Sequence, residues 1–489
     1  MGDNTPMKIT ALDLYNFTKC LHRVYLDSNG NPEEKGEVSP FVKLLWELGL
    51  QTEEKYLKTL GDIQYSDLQD FSIDEGAAET LRLMYEGVPL IYQGVLKDAI
   101  YVGRPDLLMK RFDRPSRFGD YCYEPIDIKA GMGWEERGNS KRFKDHYAFQ
   151  MLFYSMLLER LQGTALETGR IINVEGEIEE FVVADFRAAF EAGLEEVKQL
   201  VSGSQTSEPV LGSHCSLCGW HNRCERWVNK QSDPSGLFYV GKVKFQMKEA
   251  GLRTISDIAA MDIKEYTLPP RKIRGLGEAS LHRMKTRAQV MLDGAPLIRT
   301  GYTLPTGKRE IYFDIEDDPT RNLTYLFGVL IKDRGVESPF QYFVARHPDE
   351  EERTVRDFWT FLAEAGEAVY YVYSHKERTT LRQLMDRYQL DENVFDHYVA
   401  SEYDLYSKLV VPYSDWPTHS YGIKNIAKML GFQWRDTDPS GVNSISWYNE
   451  HLQHPEDESS LQRIIAYNED DCRAMVAVKD FFERRAARA

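Results

Sequence analysis

REIYFDIEDDP, residues 309–319, is the stretch from which the architecture of this 489-residue chain is read. An apolar lead-in runs into acids at every second position. Side chains alternate between the two faces of a strand, so Asp314 and Glu316 point the same way. A second apolar run, LTYLFGVLI (323–331), follows within a few residues as a partner strand. Strand and helix patterns then alternate to the C-terminus, where YNEDDCRAM (467–475) sets Tyr467 and Asp471 four residues apart. On a helix these two share a face.

Acids delivered by a strand and a helix suit divalent-metal chemistry on a phosphodiester, and a phenol beside them can orient the attacking water. The D-x-E of the strand with the terminal Y-x3-D resembles the DEDDy group of ribonuclease-H-like 3′→5′ exonucleases. That resemblance implies a ribonuclease-H-like fold over 305–489 and two Mg²⁺ or Mn²⁺ ions held by Asp314, Glu316 and Asp471, with Tyr467 beside them. The group's middle acid follows a strand. In AVYYVYSHKERTTLRQL (368–384) that place is taken by Glu377, as in similar domains of the YprB kind. SYGIKNIAKMLGF (420–432) resembles the segment before the group's last helix. Asp470 is an alternative to Asp471, but the spacing from Tyr467 favours Asp471.

A second set of carboxylates lies upstream. In YEPIDIKAG (123–131), Asp127 and Lys129 share one side of a strand while Ile126 and Ile128 face the other. Asp106 is supplied by VGRPDLLMKR (102–111), and Gln150 and Tyr154 stand at i and i+4 of a helix. In isolation an acid–x–lysine pair is an ordinary surface ion pair. The ordered set Gly103, Asp106, Asp127, Lys129, Gln150 and Tyr154 resembles the RecB-like PD-(D/E)XK nuclease family. This implies a restriction-endonuclease-like domain over 1–230 with a metal on Asp106 and Asp127. That family's first helix often carries a His–Glu pair. Here ELGLQTEEKYL (47–57) has Thr52 in place of the histidine, leaving Glu53 as the ligand.

Six cysteines are present, and three of them fall in HCSLCGWHNRC (214–224) at the spacing C-x2-C-x5-C. RecB-like nucleases of the AddB type and CRISPR-associated exonucleases close this domain with an iron–sulfur cluster, one cysteine before the core and three after it. By that resemblance Cys20, Cys215, Cys218 and Cys224 hold a structural [4Fe–4S] cluster. A zinc site is the alternative, on the four cysteines or on three completed by His214 or His221. Cys122 and Cys472 fit neither.

Net charge is −17, which argues against nucleic acid taken globally, yet residues 241–300 hold 12 Lys and Arg against 6 Asp and Glu. There RKIRGLGEASLHRMKTRAQ (271–289) resembles a helix–hairpin–helix DNA-binding element, placed at 237–298. Its hairpin carries Gly275 and Gly277, which let backbone N–H groups approach a phosphate. Lys272, Arg274, Arg283 and Lys285 would contact neighbouring phosphates. A polar stretch, NKQSDPSG (229–236), reads as a linker. GYTLPTGKR (301–309) departs from a Walker A loop in glycine spacing and in Arg309, which excludes a motor ATPase.

The N-terminus does not read as a signal peptide and no window is apolar enough for a membrane span, so a cytoplasmic protein with reduced cysteines is expected. The whole chain is therefore expected to be an α/β multidomain, metal-dependent nuclease. Its substrate would be DNA, single strands or ends. The rivals are a non-catalytic binding subunit partnering a separate helicase and an RNA-processing exonuclease.

Overall fold

Two six-stranded sheets organise the protein, one in each of the units Met1–Glu225 and Arg226–Ala489. The computed structural model describes residues 7–61, 63–137 and 140–486.

In the first unit, helices α1 (Ala11–Lys19), α2 (Leu21–Asn29) and α3 (Pro40–Thr59) precede the sheet. Its strands are β1 (Ser66–Asp67), β2 (Leu90–Tyr92), β3 (Leu107–Arg111), β4 (Cys122–Ile128), β5 (Thr168–Ile172) and β6 (Ile178–Val182). They lie in the order β6-β5-β4-β3-β2-β1, with β4 antiparallel to β3 and parallel to β5. Ser39 caps α3 and Pro40 opens it, an N-terminal pairing that suits the fixed φ of proline. Alternation along the strands divides the core. Ile91, Leu108, Tyr123 and Ile171 pack with α4 (Asp145–Gln162) and α5 (Val183–Val201). Leu90, Leu107, Ile126 and Ile128 pack with Tyr56 and Leu57 of α3 and with Leu60, which caps it. Asp127, between two inward isoleucines of the α3 side, therefore points toward α4.

Helix α6 (His221–Gln231) runs into the second unit. The expected linker at 229–236 is not one. Pro234–Gly236 forms a buried 3-10 turn, and the Asp233 carboxylate, fully buried, takes Lys244 at 3.1 Å and Lys248 at 2.7 Å. A buried carboxylate with two ammonium partners is a structural pin, and polar composition alone does not distinguish it from a loop. The basic middle segment ends in α7 (Glu278–Asp293) and has its own small core of Met247, Ile258, Ile273, Leu281 and Met284. It belongs to the same unit as the C-terminal sheet. Phe238 stacks on Tyr421 (centroids 3.8 Å apart, 14° between planes), and Arg287 donates to the buried Asp415 at 3.0 Å.

The C-terminal sheet begins with β7 (Arg309–Asp318) and β8 (Leu323–Asp333), an antiparallel pair, followed by β9 (Val336–Glu337) and β10 (Gln341–Val344), which both pair with β8. After α8 (Glu351–Glu364), strand β11 (Val369–Val372) lies parallel to β7. After α9 (Lys376–Tyr388) and α10 (Glu392–Ser401), β12 (Glu402–Asp404) lies parallel to β11. Ile311, Phe313 and Ile315 face Phe358 of α8, Leu384 of α9 and Tyr398 of α10. Tyr312 faces the other layer, formed by α11 (Ile423–Met429) and the long α12 (Ser459–Ala486). The result is a helix–sheet–helix sandwich with three antiparallel steps and two parallel ones. No helix among the described residues is long and apolar enough to cross a membrane.

Candidate active site

Asp314 and Glu316 share the β7 face of Tyr312, which turns them toward α12, where Tyr467 and Asp471 lie one turn apart. A register shift between Glu316 and Asp317 interrupts the pairing just past the acids, and it resumes at Asp317 with Thr324. One oxygen from each of Asp314, Glu316 and Asp471 lies within 4.8 Å of the others. Among the described residues this is the one group of three or more His, Cys, Asp or Glu side chains so close. The donor set fits a hard divalent cation, which takes carboxylate oxygens. Electrostatics agree with that fit. Burial, then Glu316, Asp471 and Glu377, push the Asp314 carboxyl well above the usual range. Burial, then Asp471, lifts Glu316 to about 7. Carboxyls held together out of water resist ionising, and a cation would relieve both causes.

Asp471 is oriented by Trp434, whose indole N–H donates at 2.7 Å, and Lys424 lies 3.7 Å from its other oxygen. The same ammonium donates to the Tyr467 hydroxyl at 2.7 Å. Asp470 faces away and pairs with Arg435 at 2.9 Å. Glu377 stands in the first turn of α9, buried, accepting from Ser374 at 3.0 Å, and burial lifts it to about 7. Its charge is felt at Asp314, yet it lies outside the three-donor group.

Asn468 was not foreseen. Its amide N–H₂ donates to Asp314 at 2.7 Å and to Glu316 at 3.4 Å, while its carbonyl oxygen is buried without a partner. Gly328 stands opposite Asp314 on β8 and leaves room for it: a Cβ there would lie 1.7 Å from Asn468 Oδ1. The signal was available, because Asn468 and Asp471 are i and i+3 on one helix. Gly328→Ala is expected to destabilise the protein by about 1–3 kcal/mol through overpacking and to weaken Mn²⁺ binding, as read by thermal melts with and without the ion. Lys424 lay in a segment already singled out, but nothing in its spacing tied it to Tyr467.

The upstream residues also come together. Lys129 Nζ donates to Asp127 at 2.8 Å and to Gln150 at 3.0 Å, and Gln150 donates to the Tyr154 hydroxyl at 3.4 Å. Asp106, just before β3, accepts from Ile128 N at 2.7 Å and from Gln93 at 3.0 Å. Glu53 of α3 accepts from Tyr92 at 3.1 Å and Gln93 at 3.4 Å. Burial, then the Asp127 charge, pushes Asp106 well above the usual carboxyl range. Burial opposes the Lys129 charge, but Asp127 and Asp106 outweigh it and raise its pKa. Glu53, Asp106 and Asp127 do not bring three oxygens within 4.8 Å. Gly103 lies under Tyr154: a Cβ there would meet that ring at 2.7 Å.

Cys20 separates α1 from α2, and Cys215, Cys218 and Cys224 lie in the turn Ser213–Leu217, directly after it and in α6. All four are half-buried. Burial raises the thiols of Cys215, Cys218 and Cys224, the last to about 12, and the charge of Cys20 adds to each shift. No three of the sulfurs lie within 4.8 Å of one another. Cys122 and Cys472 are buried beside Asp113 and the Gly328 carbonyl.

In the middle segment Gly275 takes φ +80°, a left-handed conformation suited to glycine, and Gly277 precedes α7. Lys272 and Arg274 are exposed, though Arg274 N is already used by Gln246 at 3.1 Å. Arg283 and Lys285, expected to be phosphate contacts, each donate to a carbonyl, of Val411 and of Met261. Positive charge on a helix is legible in sequence, but its partner across the fold is not.

Residues 311–482 match the sequence model of RNase_H_2, a family of the RNase H superfamily. No curated protein matches the chain. The C-terminal sheet, its acidic triad and that match make this part of the chain an RNase-H-like, nuclease-type domain with a group of carboxylates fit to hold a divalent metal.

Proposed function

We propose that this protein is a metal-dependent nuclease that hydrolyses DNA, from single strands or ends, with its principal site at Asp314, Glu316 and Asp471. The convergence of those three oxygens within 4.8 Å, from a strand and a helix far apart in sequence, carries the reading. Mg²⁺ or Mn²⁺ bound there would polarise the phosphate and lower the pKa of a water. Asp314, Glu316 and Asp471 hold the ion. Tyr467 orients the attacking water as in a 3′→5′ exonuclease, with its hydroxyl fixed by Lys424. Trp434 and Asn468 fix the carboxylate rotamers, the outer-shell role that keeps ligands in place. Glu377 stands as a further acid at the rim.

In the first unit, the Asp106–Asp127–Lys129–Gln150–Tyr154 chain of hydrogen bonds supports a second, RecB-like nuclease site, with Glu53 as an added ligand. Cys20, Cys215, Cys218 and Cys224 would hold a structural [4Fe–4S] cluster. The mutual influence of their thiols favours it, and thiolates are the ligands such a cluster takes. The Lys272–Gly277 hairpin, with Arg274, Gly275 and Gly277, would bind DNA backbone.

Cleavage of end-labelled single-stranded DNA and matched RNA with Mn²⁺, by anaerobically purified wild type, Lys129→Ala and Asp314→Ala, tests this. Reduced cutting in both variants, with the larger loss in Asp314→Ala, is the expected result. Cutting of RNA alone would move the substrate class. Intact polymers with folded protein would leave a non-catalytic subunit, one that partners a separate helicase. Iron and labile sulfide analysis of the same preparation, with a Cys20→Ala control, decides the cluster.

A further inference from the structure

Beside Lys129, outside the hydrogen-bonded chain just described, three more basic side chains crowd together. Lys19 ends α1, Lys144 immediately precedes α4, and His146 is that helix's second residue. Two tyrosine rings run between them. Tyr147 lies under both the Lys129 and the Lys144 ammonium, at 5.4 and 5.6 Å from its centroid. Tyr15 lies under Lys19 at 5.9 Å and meets the His146 ring edge-on at 4.9 Å. His146 in turn tilts against Tyr147, with ring centroids 4.4 Å apart. All six side chains are half-buried.

Gathering like charges in a partly dehydrated cleft is unfavourable unless an anion offsets it. The acids near enough to act on Lys19 and Lys144 are Glu135, Asp145 and Glu179. Asp145 is paired with Arg142 at 2.7 Å, Glu179 accepts from Asn173 at 3.0 Å and from Gly133 N, and Glu135 acts on both lysines. Lys144 Nζ gives one of its three donors to the Met132 carbonyl, which leaves two for a ligand. Burial, then Lys19, Lys144 and Lys129, hold the His146 imidazole down to about 3, so it is a neutral ring with hydrogen-bonding capacity at working pH. The N-terminus of the 18-residue α4 adds its own positive potential.

We propose that Lys19, Lys144 and His146, with the faces of Tyr15 and Tyr147, form a binding site for a nucleic-acid strand next to Lys129. The cations take backbone phosphates and the tyrosines stack a base, a combination that tracks single strands without reading sequence. Lys129 and Lys144 both reach one ring, so their separation cannot exceed the two centroid distances combined. This bound keeps the held phosphate close along the strand to the one presented to Lys129. The inference rests on reading Asp106, Asp127 and Lys129 as a nuclease site.

The test is binding of a fluorescent single-stranded DNA to the full chain in EDTA, across a salt series, with Lys19→Gln/Lys144→Gln and Lys19→Arg/Lys144→Arg variants. Losing two phosphate contacts should make the slope of log K against log salt shallower by about 1.4, and the arginine variant should restore it. An unchanged slope overturns the proposal. Photo-crosslinking of bromouracil-substituted DNA to wild type gives a check that needs no variant. Adducts are expected at Tyr15 or Tyr147, and adducts confined to residues beyond 226 would overturn it. If slope and adducts behave as expected while Asp127→Asn leaves unaltered the cleavage that remains in an Asp314→Asn background, the binding site stands and only the catalytic reading of the first unit falls.

Discussion

Asp314→Asn is expected to lower metal-dependent cleavage by the C-terminal domain by about 10³-fold or more, measured in a Lys129→Ala background to silence the first unit. Loss of a metal ligand removes several kcal/mol of charge stabilisation in the transition state, and about 1.4 kcal/mol corresponds to a factor of ten. Asparagine keeps the shape of the side chain, so Asn468 and Gly328 need not move. The same substitution should raise the melting temperature of the metal-free protein. It deletes one member of a buried cluster of acids, whose carboxyl is pushed well above the usual range by burial and by Glu316, Asp471 and Glu377. Loss of activity with a gain in stability is the behaviour of a residue kept for chemistry. A variant that lost both would mark Asp314 as structural.

Metal and pH should act on the same group. Glu316 and Glu377 titrate near 7 in the folded protein, against about 4.3 for an ordinary glutamate. Raised carboxyl values mean that the folded state holds protons the unfolded chain has released. The stability this confers is complete below about pH 4 and is lost as pH rises through about 7. Each shift corresponds to roughly 4 kcal/mol if the groups act singly. Chelator-treated protein is therefore expected to melt lower at pH 8 than at pH 5.5, and added Mn²⁺ should raise the melting temperature far more at pH 8. Binding should release protons, because the ion displaces them from the carboxylates. Titration calorimetry in buffers of different ionisation enthalpy counts them. Equal Mn²⁺ stabilisation at the two pH values would show that the acids are not the ligands.

How much of this site was legible follows from periodicity. Asp314 with Glu316, and Tyr467 with Asp471, are short-range pairs whose geometry is set by the repeat of strand or helix. Their facing sides could be read before any fold was known. Asp471 rather than Asp470 followed from the same four-residue spacing, and the structure agrees because Asp470 turns to Arg435. Lys424 and Trp434 escaped because each meets Asp471 from another element, whereas Asn468 shares the helix face of Asp471 and was within reach of the same spacing argument. Gly328 escaped too: in the sequence it is one glycine in an apolar run, and only the register with Asp314 makes it necessary.

The stretch 229–236 shows the opposite error. Asn, Gln, Ser, Asp, Pro and Gly in a row describe a linker by composition, yet Asp233 is buried under two lysines that lie 11 and 15 residues further on. Likewise the carbonyl partners of Arg283 and Lys285, at Val411 and Met261, are not legible in the charge pattern of the segment.

By itself the sequence determined the alternation of strand and helix, the acids on one face of β7 and of α12, and the ordered upstream set, since these depend on local repeats of two and 3.6 residues. Only the tertiary structure decided which acids meet within 4.8 Å of one another, which carbonyls the basic side chains of the middle segment meet, and that this segment shares a unit with the C-terminal sheet. Those outcomes depend on contacts between residues tens to hundreds of positions apart, and no local period encodes the distance between them.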